Sequence, residues 1–175
     1  PFGEKKIKPD DLIANPYLLC ENHAPTDRNL DETEHLYGPI DIFMIDFGML
    51  PDERFVKERD RELQDLHPAG PERLRALLIE YLGSIESKGH CFDSLDNVHE
   101  YIQQHPLFYK QKLHINKQQL VKGNHRTHLS ERLEIVESDG QHYFYLREVR
   151  KAEELIEKVV ANLISRKTEH NVDLR

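Results

Sequence analysis

Apolar positions are most regular in the second half of the chain. Leu74, Leu77, Leu78, Tyr81, Leu82 and Ile85 fall on the spacing of one broad helical stripe. Pro71 suits the first helical position, where its missing N–H costs nothing, and Glu72 suits the positive end of the helix dipole. Lys88-Gly89 supplies a basic last turn and a glycine stop. Gly83 weakens the interior by roughly 1 kcal/mol relative to alanine without erasing the pattern. His90-Cys91-Phe92 is long enough only for a small extended piece. Asp93 or Ser94 then caps a helix carrying Leu95, Val98, Tyr101 and Ile102, stopped near Pro106. A third helix is expected from Asn116 to about Val121 or somewhat beyond. Leu133–Glu137 and Gln141–Leu146 flank Ser138-Asp139-Gly140, and Asp-Gly between β-rich runs predicts a hairpin. From Glu148 to about Ser165, Val149, Ala152, Leu155, Ile156, Val159, Val160, Leu163 and Ile164 make a continuous helical stripe.

The first 70 residues are less periodic. A short helix over Asp11 to Leu19 is interrupted by Asn15-Pro16, and residues 21–35 read as a loop or an irregular helix. The apolar run Ile40–Phe47 is ambiguous between helix and strand, as short runs are. A charged helix is expected over Asp52–Asp65. Two prolines and a glycine in His67–Pro71 mark the best boundary. The fold class is therefore mainly α. A helical region over 1–68 precedes a winged-helix-like unit over 69–147, with one small β-hairpin framing a helix-turn-helix, and a C-terminal helix and linker follow over 148–175. Winged-helix units bind DNA and also proteins, so fold alone does not decide function.

Charge changes the picture once it is divided by position. The chain of 175 residues has 24 Lys+Arg, 32 Asp+Glu and a formal net charge of −8. All of that excess lies in the first 70 residues, while residues 71–175 are neutral. Within the neutral part, 107–132 holds six basic residues and one acidic residue, Glu131. Lys110, Lys112, Lys117, Lys122, Arg126 and Arg132 are candidates to neutralise phosphates, with Asn124 and His125 as hydrogen-bond donors. His114, His125 and His128 add a pH-dependent margin. The bland alternative is a solvated basic face. Tyr109 and Tyr143 could stack a base, or simply be half-buried.

Other chemistry is sparse. No G-x-x-x-x-G-K-[ST], G-x-S-x-G, H-E-x-x-H or C-x-x-C occurs, so no catalytic residue and no cofactor site is assigned to this chain. His125 and His128 have no second ligand pair nearby, so no metal site is assigned. Carboxylate pairs such as Asp31-Glu32 and Glu153-Glu154 read as surface or helix-start charges. Cys20 and Cys91 read as small buried apolar side chains. Two cysteines are too few for a disulfide-stapled fold, and there is no signal segment or membrane-length apolar run, so a cytoplasmic location is expected. The chain starts at Pro1 and ends on linker-like residues, and it is expected to be a piece of something longer.

Taken in order, these residues resemble the N-terminal region of RecD-like DNA helicases, relatives of the exodeoxyribonuclease V alpha subunit. Asn15-Pro16-Tyr17-Leu18-Leu19 resembles that family's N-P-Y-x-L segment, which precedes a helix-hairpin-helix-type region matched here by Tyr37–Asp41 and Asp46–Pro51. Arg73-Leu74-Arg75-Ala76 opens the helix that follows, and Gly89-His90-Cys91-Phe92 is similar to its G-H turn. The hairpin strands, Tyr145-Leu146-Arg147 and Ala152-Glu153 continue the same plan. Residues 38–48 lack the glycine pair of a DNA-binding hairpin and are acidic, so the DNA contact falls to 110–132. The resemblance implies a parent protein that is an ATP- and Mg-dependent motor of DNA repair and recombination, moving 5′ to 3′, whose phosphate loop follows this region. It implies that this region is a non-catalytic accessory segment, binding single-stranded or junction DNA weakly and docking on motor domains of the same polypeptide. A monomer without membrane contact is expected. The alternatives are a protein–protein docking module, whose acidic first 70 residues face a basic partner, and a winged-helix transcriptional regulator dimerised through 149–164.

Overall fold

A computed structural model of the chain describes residues 7–22, 40–49, 69–109 and 114–167. The expected helix at 52–65 lies outside them, as does all but 21–22 of the segment 21–35 read as a loop or an irregular helix. The chain is mainly helical, with one small antiparallel sheet and a long C-terminal helix.

Asn15-Pro16 splits the first helical segment as its chemistry requires. Helix α1 (Pro9–Ala14) ends at Asn15, and α2 (Leu18–Asn22) restarts after the break, with the Asn15 side chain accepting from the Tyr17 N–H at 3.1 Å. The ambiguous apolar run is helical: α3 spans Ile42–Met49. It buries Ile42 and Asp46, while Phe43, Met44 and Phe47 stay exposed.

Helix α4 (Pro71–Glu86) is the hub of the molecule. Its first turns bury Arg73, Leu74, Arg75, Ala76, Leu77 and Leu78 on several sides at once. It stops at Gly89, which adopts φ +90° so that the His90 N–H can return to the Ile85 carbonyl at 3.0 Å. Strand β1 (Phe92–Ser94) follows, two residues later than the small extended piece expected at 90–92. The Ser94 hydroxyl caps α5 (Leu95–Gln104) by accepting from the Asn97 N–H. A single turn, α6 (Pro106–Tyr109), restarts at the proline.

The third helix comes in two pieces. Helix α7 (Lys117–Val121) opens with a reciprocal capping box between Asn116 and Gln119. Lys122 is then extended, Gly123 takes φ +68°, and α8 (Gly123–Leu129) runs on at a new angle. Strands β2 (Leu133–Ser138) and β3 (Gln141–Leu146) form the hairpin, and Asp139 and Gly140, at φ +52° and +75°, make its two-residue turn. β1 pairs with the other edge of β3, giving the order β1-β3-β2 with Asp93 opposite Phe144. Helix, strand, helix, broken helix and hairpin thus follow winged-helix order, and α9 (Arg147–Lys167) leaves the hairpin directly.

One apolar core runs through the described residues. Leu74, Leu77, Leu78 and Leu82 of α4 pack with Val98 and Ile102 of α5, Leu120 and Val121 of α7, Leu129, Leu133 and Phe144. Tyr17 and Ile42 belong to the same cluster, so packing is continuous across the boundary expected at 68/69.

Candidate nucleic-acid interface

The broken third helix positions the basic residues. Leu120, Val121 and Leu129 face the core, so the opposite side of α7 and α8 faces water. That side carries Lys117, Lys122, Asn124 and Arg126, all exposed, and no acidic residue occurs between 114 and 130. Lys117 reaches Asp96 of α5, Nζ to Oδ1, at 2.6 Å. Both ends of that pair are well exposed, so it is worth little and gives way readily to a competing anion. Arg126 donates to the Val121 carbonyl at 3.2 Å, bridging the break between the two helical pieces.

The other candidates divide differently. Lys110 and Lys112 lie outside the described residues, as does the side chain of Tyr109. His125 places Nε2 3.0 Å from the Ala69 carbonyl, which ties α8 to the chain just before α4. Arg132 is turned toward the first segment: it donates to Asn22 Oδ1 at 3.2 Å and to the Glu21 carbonyl at 3.4 Å. Tyr143 is half-buried and packs edge-on against Phe92, with centroids 5.5 Å apart. The structure therefore brings together Lys117, Lys122, Asn124 and Arg126, and it engages His125 and Arg132 in holding the fold.

Two histidines are held neutral by their surroundings. Burial pushes the His128 pKa below its ordinary value, Arg75 pushes it further, and its Nε2 is buried with no hydrogen-bond partner among the described residues. His128 thus adds no charge to the basic side at neutral pH. Burial likewise lowers His105, with Arg73 reinforcing it.

Sequence reasoning missed the two buried arginines. Arg73 forks onto Asp46, Nε to Oδ1 at 2.6 Å and Nη2 to Oδ2 at 2.7 Å, and the Tyr17 hydroxyl donates to the same carboxylate at 2.9 Å. Arg75 places Nε 2.9 Å from Glu21 Oε1 and also bonds Glu131. The one acidic residue of the basic segment is thus tied down by α4, and two carboxylates of the acidic first segment are neutralised internally. A warning was available at Asp46, a carboxylate in the middle of an apolar run.

Neither cysteine is an activated nucleophile. Burial raises the Cys20 thiol to about 12, and its Sγ donates to the Tyr17 carbonyl at 3.1 Å. A hydrogen bond with Glu153 and burial also raise Cys91. Among the described residues no cluster of histidine, cysteine and carboxylate side chains could hold a metal, and no helix is long and apolar enough to cross a membrane.

No protein-family model, curated protein or solved structure matches this chain.

Proposed function

We propose that this chain is a non-catalytic, DNA-contacting accessory region of a RecD-like, ATP-dependent DNA helicase in the cytoplasm, which positions single-stranded or junction DNA and docks on the motor domains. The observation that carries the reading is the solvent side of α7 and α8. Among the described residues, three cations and an amide there have no acidic neighbour apart from one weak surface pair, at the position where a helix-turn-helix presents its second helix. The hairpin narrows the mode of contact. Its tip carries Glu137 and Asp139, both exposed, which repel a phosphate backbone, so contact is confined to the helical side. ATP and Mg would belong to the motor that the resemblance implies.

Titration of a fluorescent single strand tests this. Weak binding at low salt is expected, and three phosphate contacts give a log K against log salt slope of roughly −2 to −3. Lys117→Glu, Lys122→Glu and Arg126→Glu together should abolish binding, while Lys122→Glu, whose exposed side chain makes no hydrogen bond or ion pair among the described residues, should weaken it without lowering the unfolding midpoint. No binding at low salt, or a triple variant that binds as before, overturns the reading. A protein-docking module is the second reading, and the outward apolar stripe of α9 favours it. In that case the chain binds no strand and retains a protein contact.

A further inference from the structure

Helix α9 is amphipathic, and its apolar side faces away from its own sheet. Arg150 lies over the Tyr145 ring, 5.4 Å from its centroid, and reaches Glu153 and Glu154 at 3.7 and 3.6 Å. Only the first turns of α9 are thus seated on the sheet, through Arg150, Glu153 and Glu154, and from Leu155 to Ser165 the helix is exposed on every side. Leu155, Ile156, Val159, Val160, Leu163 and Ile164 are 46–63 % exposed. Ordinary surface helices are built the other way round, with the apolar stripe inward.

We propose that this stripe pairs antiparallel with the same stripe of a second copy of the chain. The spacing is itself two-fold symmetric. Leu155-Ile156, Val159-Val160 and Leu163-Ile164 are large, small and large pairs at equal intervals. An antiparallel copy centred between Val159 and Val160 sets Leu155 against Ile164, Ile156 against Leu163, and Val159 against Val160. That is the self-complementarity a two-fold contact requires. The area is sufficient. Six aliphatic side chains exposed to this degree leave on the order of 500–600 Å² per copy, at the upper end for a monomer. Pairing buries about 1,000–1,200 Å² in total, enough for a specific but weak interface.

Sedimentation equilibrium of the 175-residue chain tests the proposal. A reversible dimer with Kd on the order of 10 µM is expected. Val159→Glu and, separately, Ile156→Lys each weaken it at least tenfold with an unchanged unfolding midpoint, since both side chains are exposed. Register is read by mild oxidation of Ile156→Cys and Leu163→Cys variants, where an equimolar mixture cross-links far faster than either variant by itself. A monomer at all concentrations up to about 100 µM overturns the proposal. So does a dimer indifferent to both charged substitutions, or cross-linking in each single variant as fast as in the mixture. Strand titration is a separate measurement, so the DNA reading and the dimer can fail independently.

Discussion

Gly83 shows how a residue can be unfavourable locally and still be tolerated. It lies inside α4, where glycine costs backbone entropy that alanine does not, and a Cβ added there meets no atom within 4 Å. Gly83→Ala should therefore stabilise the fold by up to about 1 kcal/mol, seen as a raised midpoint in urea unfolding. An unchanged or lowered midpoint would show that the glycine answers to something other than helix propensity. Gly89 differs, because its φ of +90° is open to glycine and strained for other residues. Both features were legible in the sequence, since a helix stop and the Asp139-Gly140 turn are decided within a few residues. Arg73 and Arg75 were not. Their carboxylate partners Asp46 and Glu21 lie 27 and 54 residues earlier, and no local pattern announces a contact at that separation.

At the scale of elements, those ion pairs fasten α2 and α3 to α4. Asp46 is almost wholly enclosed, and its carboxylate oxygens are met by the Arg73 fork and the Tyr17 hydroxyl. Arg73→Met should cost about 3–5 kcal/mol, because it leaves a buried carboxylate without its cation. Adding Asp46→Leu should recover much of that loss, since an apolar replacement of both partners removes the stranded charge. Urea unfolding of the single and double variants checks this, and a double variant no more stable than Arg73→Met would refute the argument. Element types were legible where periodicity was long, as in α4, α5 and α9. The break at Lys122-Gly123 was not, although it shapes the candidate interface. One helix running to about Val121 or somewhat beyond was expected; Asn124 and Arg126 lie on a second helical piece that begins at a left-handed glycine.

At the scale of the whole molecule, the described residues pair opposite signs inside, Arg73 with Asp46 and Arg75 with Glu21, and leave the basic side of α7 and α8 facing outward. The net charge of −8 therefore says little about what the surface near α7 and α8 attracts. The same arrangement makes stability depend on pH. His105 and His128 both have folded-state pKa values below the ordinary 6.5, through burial first and then through Arg73 and Arg75. Below 6.5 the unfolded chain binds protons that the folded chain refuses, so their contribution is fully present above that pH and is lost as pH falls toward the folded values. Glu21 runs the other way. Burial raises its carboxyl above the ordinary 4.5, Arg75 offsetting part of this, so its contribution is largest at low pH and declines as pH rises through the folded value. Thermal unfolding should thus show a midpoint that falls when pH drops from about 7 to about 5.5, the window that belongs to the histidines. Replacing both with glutamine removes these two contributions, so the midpoint of His105→Gln, His128→Gln should change less across the same interval, even if its absolute value is lower. A double variant that keeps the full acid dependence would place the titrating groups elsewhere in the chain.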